Sequence, residues 1–264
     1  MQIKFQGNTV NFATGGVEVD GKHPIVLLVH GAGMDRTVWN LQTRYLAHHG
    51  YTALAVDLPG HGASTGELIP SVGQMASWLS EIIEHLDMGP ARVIGHSMGS
   101  LIGIELAAKS PLNVERLVLM GTALSMPVHP DLLQAASNNE VLAPDLITSW
   151  SLGTKAHIAR NPAPGFWMRG GSQALLSRAA NGVIYNDLAA CNSYEAGISP
   201  SLIRCPVAIF IGEEDKMTPP TASLLLAAEI EDVELIHLGP VGHMMMSEAP
   251  AKIRPALCSV LQDR

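Results

Sequence analysis

Apolar residues fall along this chain in short runs separated by longer stretches of helical period. Ile25–Val29, Thr52–Val56, Arg92–Gly95, Arg116–Met120, Val207–Ile211 and Val233–Ile236 are brief and mostly aliphatic. Nearly continuous apolar runs of that length predict strands covered on both faces. Ahead of them, Ile3–Gln6 and Val10–Thr14, joined at Gly7-Asn8, predict a hairpin. Helix-like segments occupy about 37–49, 71–87, 98–109, 219–230 and 249–262. Strand and helix in alternation predict an α/β fold with a mostly parallel, doubly wound sheet and helices on both faces. The alternation stops between about 125 and 202, where helix-like pieces are punctuated by Pro127, Pro130, Pro144, Pro162, Pro164 and Pro200. That predicts a core of residues 1–124 and 203–264 with a helical cap, 125–202, inserted between two strands.

Two segments read Gly-x-Ser-x-Gly. Chance alone supplies roughly 0.2 such matches in a chain of this glycine and serine content, so context decides. Gly62-Ala63-Ser64-Thr65-Gly66 follows the loop Leu58-Pro59-Gly60-His61 and runs into Ile69-Pro70 without opening a helix. Gly95-His96-Ser97-Met98-Gly99 follows a strand directly and opens the apolar helix Leu101–Ala108. The second is the strand–turn–helix setting in which a strained turn presents a serine Oγ above a sheet, over a positive helix N-terminus. A serine needs a base and an orienting acid to become a nucleophile. The strand Val207–Ile211 runs into Gly212-Glu213-Glu214-Asp215-Lys216, where Asp215 is favoured over its two acidic neighbours. The last strand leads to Gly239-Pro240-Val241-Gly242-His243, which offers the histidine.

On these motifs, their order and their spacing, nearly the whole chain resembles an α/β-hydrolase-fold serine hydrolase with a helical cap, of esterase or lactonase type. His30-Gly31-Ala32-Gly33 and Asp57-Leu58-Pro59-Gly60-His61-Gly62 also match that family. The resemblance implies a catalytic triad of Ser97, His243 and Asp215. It further implies an oxyanion hole formed by the backbone N–H groups of Ala32 and Met98. His30 and His96 read as packing beside the site, and His48, His49 and His85 as solvated helix residues. In the cap, Trp150, Phe166 and Trp167 are candidate pocket residues, with Met244 beyond the last strand; Lys155, Arg160, Arg169 and Arg178 are candidate partners for a substrate carboxylate.

Composition narrows the classes. The chain has 264 residues, 47% apolar and 15% charged, with 16 basic against 24 acidic side chains and a net charge of −8. That balance argues against an electrostatic nucleic-acid binder. Three cysteines out of CxxC spacing argue against a disulfide framework or structural zinc. No apolar run approaches the ~18 residues of a membrane span, and the N-terminus lacks the apolar core of a signal peptide. The expectation is a cytoplasmic protein acting on a small ester or lactone without cofactor or metal, its oligomeric state open. Cleavage of a diketone C–C bond, perhydrolase (cofactor-free haloperoxidase) chemistry, and ligand reception on the same scaffold remain alternatives. An aspartate-nucleophile dehalogenase or epoxide hydrolase is set aside because position 97 is serine.

Overall fold

Eight strands form one sheet in the computed structural model, which describes residues 1–158, 167–197 and 199–262. In chain order they are β1 (Gln2–Phe5), β2 (Asn8–Ala13), β3 (Ile25–Val29), β4 (Thr52–Val56), β5 (Ala91–His96), β6 (Val114–Met120), β7 (Val207–Ile211) and β8 (Val233–His237). Their spatial order is β1-β2-β4-β3-β5-β6-β7-β8. β1 and β2 are antiparallel to their neighbours and the rest are parallel. The hairpin turn falls at Gln6-Gly7, one residue before the expected place, because both residues take left-handed φ values of 47° and 78°. Such a two-residue turn matches the strand twist, so Phe5 pairs with Asn8.

Side chains of the central strands alternate between two apolar layers. Leu27, Leu54, Val93, Leu117 and Ile209 pack with helices Val72–Leu86 and Met98–Lys109. Val26, Leu28, Ala53, Ile94, Val118 and Phe210 pack on the other face with helices Asn40–Ala47 and Pro250–Leu261. Only β8 departs from the expected burial on both faces. It is half-buried throughout and exposed at its end, since it is an edge strand, and an edge tolerates Glu234.

Helix Met98–Lys109 is buried at ten of its twelve positions, hence its lack of a polar face. Gly103 brings it close to β6, where a Cβ would stand 2.9 Å from Leu117 Cδ1. Between β6 and β7 the described residues form helices Pro130–Ser137, Leu142–Ser151, Thr154–His157, Met168–Leu176, Val183–Asn192 and Ser199–Leu202. The chain leaves and re-enters the core side by side, through a bridge of Ser125 with Glu195 and a bond from the Ala196 N–H to the Leu124 carbonyl of 2.9 Å. Among the described residues, no helix is long and apolar enough to cross a membrane.

The strand order reverses direction at β3, whose chain successor β4 lies on one side while β5 lies on the other. In open α/β sheets the crevice beyond the carboxyl ends at such a point is where ligands bind. Gly99 closes the base of that crevice, since a Cβ there would sit 2.3 Å from the Val29 carbonyl oxygen. Gly99→Ala is expected to destabilise the protein by about 3 kcal/mol or more in urea unfolding, because backbone must move to admit the methyl.

Candidate active site

Ser97 occupies the turn between β5 and helix Met98–Lys109, with φ 53° and ψ −119°. A non-glycine residue in so sparse a region costs on the order of 1–3 kcal/mol and persists only where its surroundings over-determine it. Here the Ser97 N–H is tied to the Met120 carbonyl at 2.9 Å, and the Ser97 carbonyl accepts the Ser100 N–H at 2.8 Å and the Ser100 hydroxyl at 2.6 Å. The flanking glycines are steric necessities. A Cβ on Gly95 would lie 2.1 Å from the Gly99 carbonyl oxygen. By contrast, Ser64 is consumed by structure: its hydroxyl donates to the Asp57 carbonyl and accepts the Asn11 N–H, both at 2.9 Å.

His243 and Asp215 stand on the loops after β8 and β7. The His243 Nδ1–H donates to Asp215 Oδ2 at 2.8 Å. Asp215 also accepts the N–H groups of Met217 and Thr218 on Oδ1 at 2.9 Å, and the Thr218 hydroxyl on Oδ2 at 2.8 Å. Burial pushes the Asp215 carboxyl up, but its His243 partner and these bonds outweigh it and hold the carboxyl below its usual range. With its Nδ1 proton committed to a carboxylate, His243 presents an unprotonated Nε2. That Nε2 is buried without a hydrogen-bond partner among the described residues, and both His243 and Ser97 line the same cavity.

The imidazole is seated from three sides. Its backbone N–H donates to the Ser151 carbonyl at 2.7 Å, and its carbonyl accepts the His96 Nε2–H at 3.0 Å. Burial, then the neighbouring His243, push His96 down to about 3, so it is a neutral donor here. Gly121, at φ 60°, supplies the third side, since a Cβ there would lie 2.7 Å from His243 Cε1.

Met98 follows Ser97 in the chain, and Ala32 lines the same cavity as Ser97. Met98 is the first residue of its helix, so its N–H has no intrahelical acceptor and lies at the positive end of the helix dipole. Gly31, just before Ala32, lets the loop approach the serine, for a Cβ there would stand 3.2 Å from Ser97 Cβ.

The cavity measures about 290 Å³, and its wall includes Met126, Ile147, Trp150, Leu188, Cys191 and Lys216. Trp150 therefore lies where it was expected. Trp167 does not: it is 71% exposed, folded back over its own helix, where a Cβ on Gly170 would stand 2.1 Å from the indole. Met244 is also displaced from the expected pocket, buried in the apolar layer beneath the loop with its N–H on the Ser151 carbonyl at 3.2 Å. Phe166 and Arg160 lie outside the described residues.

None of the other cap cations lines the cavity. Arg178 bonds Asp35 at 2.7 Å, Arg169 is exposed, and Lys155 faces a different depression. The cation that does line the wall is Lys216, hidden in the sequence inside an acidic loop. Thr218, Gly121 and Asp187 are further site-shaping residues without a motif to announce them. Among the described residues no three His, Cys, Asp or Glu side chains gather as a metal-binding group.

The chain belongs to the alpha/beta hydrolase family, whose profile matches residues 26–256. It is similar to the pimeloyl–acyl-carrier-protein methyl ester esterase of Aromatoleum aromaticum, 30% identical, with 90% of this chain and 96% of that protein covered. It is 23% identical to the (E)-2-((N-methylformamido)methylene)succinate hydrolase of Acinetobacter baylyi, with 92% of each covered. Among solved structures, the enol-lactonase from Burkholderia xenovorans LB400 superposes with a TM-score of 0.88 at 20% identity, covering 100% of both chains.

The depressed Asp215 carboxyl has a sign that can be measured. A carboxyl held lower in the folded state than in the unfolded chain adds stability above the unfolded value, near 3.9, and loses it as pH falls through the folded value. In urea unfolding between pH 7 and pH 3, the wild type is expected to lose stability on acidification faster than Asp215→Asn. Parallel curves would contradict this.

Proposed function

We propose that this family member is a serine hydrolase that cleaves a small carboxylic ester or lactone through an acyl-enzyme. The observation that carries the reading is a serine on a strained turn sharing one cavity with a histidine whose other nitrogen is bonded to a buried carboxylate at 2.8 Å. The Ser97 hydroxyl attacks the substrate carbonyl while His243 Nε2 takes its proton. Asp215 holds the Nδ1–H tautomer and offsets the imidazolium charge that develops. The N–H groups of Ala32 and Met98 receive the carbonyl oxygen as it becomes an oxyanion; such donors are typically worth about 2.7–4 kcal/mol each. His243 returns the proton to the leaving alkoxide, then deprotonates a water that releases the acid. In a lactone, alkoxide and acid belong to one molecule. Every step uses groups of the chain itself, so the reading calls for no cofactor.

The cavity wall favours a substrate with an apolar body. Met126, Ile147, Leu132 and Leu188 surround the space, and Trp150 adds an aromatic face. Although the chain carries a net charge of −8, no Asp or Glu is among the described lining residues, and Lys216 is the one Lys or Arg among them. An anionic group at the far end of the substrate meets that ammonium and no opposing carboxylate on the wall. The curated relative whose name includes a succinate supports the same direction.

A panel of p-nitrophenyl esters and lactones tests the reading, with Ser97→Ala as control. The variant is expected to lose at least about a thousandfold in kcat and all labelling by a fluorophosphonate. Retained turnover in Ser97→Ala would overturn the assignment. For the substrate end, Lys216→Met is expected to lower kcat/KM about fivefold for the p-nitrophenyl half-ester of adipic acid, a modest effect suited to an exposed cation. The neutral hexanoate ester should stay within about twofold. Equal effects on both would remove Lys216 from substrate recognition.

A further inference from the structure

The cap touches the core at one fully buried charge that the reaction does not consume. Asp187, in helix Val183–Asn192, is 0% exposed. Its Oδ2 accepts the Gly33 N–H and the His61 Nε2–H, both at 2.8 Å, and its Oδ1 accepts the Asn186 amide at 3.2 Å. His61 faces acceptors with both ring nitrogens, since Nδ1 lies 2.9 Å from the Pro59 carbonyl oxygen. A neutral imidazole has one N–H; two acceptors therefore demand the imidazolium. The energetics agree. Burial pulls His61 down, but the Asp187 charge and hydrogen bonds raise it overall; burial pushes Asp187 up, and the His61 charge brings it below the ordinary carboxylate value.

A second histidine extends this assembly. The rings of His30 and His61 are 4.9 Å apart. His30 Nε2 accepts the Leu58 N–H at 3.3 Å and its Nδ1–H donates to the Gly31 carbonyl at 2.9 Å, so His30 is a neutral tautomer. Burial, with the His61 charge adding to it, pushes it down to about 4. The loop His30–Gly33 is thus gripped at two points: the Gly31 carbonyl by His30 and the Gly33 N–H by Asp187. Ala32, whose N–H is the proposed oxyanion donor, lies between them.

The same helix addresses both loop and cavity. Gly33, at φ 70°, has no room for a side chain because a Cβ would meet Ile184 Cγ1 at 2.8 Å. Ile184 and Asp187 therefore face the oxyanion loop, while Leu188 and Cys191 line the substrate cavity. Positions 184, 187, 188 and 191 form one helical face.

We propose that Asp187 is a positioning residue for the oxyanion hole: from the cap it holds the Gly33 amide, and through it the Ala32 N–H, while the His61 imidazolium neutralises its charge. This rests on the acyl-enzyme reading above, because the held N–H matters only if an oxyanion forms beside it. The cap then contributes to transition-state binding as well as to the pocket wall.

Asp187→Ala and Asp187→Asn test this, each first checked for a cooperative thermal transition. For an ester that the wild type turns over, Asp187→Ala is expected to lower kcat about thirtyfold, less than the 10²–10³ for complete loss of a donor, with KM changed by less than about threefold. Inhibition by a phenylboronic acid, which forms a tetrahedral adduct on the serine, should weaken by a similar factor, while binding of the product acid stays unchanged. Asp187→Asn should recover part of kcat, because its amide oxygen can take the place of Oδ2 and accept the Gly33 N–H. Hydrogen exchange of the peptide spanning residues 30–34 should accelerate in Asp187→Ala without accelerating at the His243 loop. Unchanged kcat and exchange would overturn the proposal. So would a loss confined to KM with boronate affinity intact, which would make Asp187 a wall support only. If the wild type hydrolyses no ester or lactone, the acyl-enzyme reading fails, whereas the exchange measurement still decides whether Asp187 holds the loop.

Discussion

The site depends on how closely helix Met98–Lys109 approaches the carboxyl ends of β3 and β5. Backbone meets backbone there, with a Cβ on Gly95 or Gly99 falling 2.1 or 2.3 Å from a carbonyl oxygen. That approach forces the intervening residue into a left-handed φ, and the residue is Ser97. The strain is local; its restraint is distributed. The Met120 carbonyl holds the Ser97 N–H from β6, and Ser100 holds its carbonyl from the first helical turn. A serine placed by backbone in this way keeps its hydroxyl free of the structural bonds that occupy Ser64.

Around that turn, four histidines share much the same burial and differ in protonation because they differ in partners. His30 and His96 each find one acceptor and no adjacent carboxylate, so desolvation keeps them neutral. His61 finds two acceptors, one of them a carboxylate, and is charged. His243 has a carboxylate on one nitrogen and, among the described residues, no partner on the other, the arrangement that leaves a lone pair to accept a proton. In the proposed mechanism, a charged imidazole near Ser97 would repel the imidazolium that forms on His243. The neutrality of His96, whose ring is 4.7 Å from that of His243, removes that repulsion at the nearest position.

Much of this was legible in the chain because it depends on residues close in sequence. Ile25–Val29, Thr52–Val56 and Val207–Ile211 are strands with the bounds their apolar runs define. Both Gly-x-Ser-x-Gly segments could be told apart by whether a helix follows. The Asp215 and His243 positions followed from chain order after β7 and β8. What escaped depends on direction or on distant contact. Trp167 and Met244 have the chemistry of pocket residues, yet one folds onto Gly170 and the other packs into the layer below. Lys216 follows Glu213, Glu214 and Asp215, which masked a cation that lines the cavity. Asp187 lies 126 residues from His61, and only the folded chain brings its carboxylate beneath Gly33.

These contacts also constrain how substrate enters. The Ser151 carbonyl, at the end of a cap helix, holds the N–H groups of His243 and Met244. Glu248 accepts the Gly153 N–H at 3.0 Å and the Gly242 N–H at 3.1 Å across the same seam. Elsewhere Asp187 holds Gly33 and His61. Lifting the cap as a body would break all three anchors and leave the buried charge of Asp187 unpaired, and breaking one such pair alone costs on the order of 3–5 kcal/mol. It would also unseat the His243 imidazole and the loop His30–Gly33. Entry that displaces only wall side chains outside these bonds, such as the exposed Lys216, would leave every anchor in place. Under the proposed reading, specificity changes most cheaply at residues between the anchors, Met126, Trp150 and Leu188 among them, because they line the cavity without bonding to the turn, the imidazole or the loop.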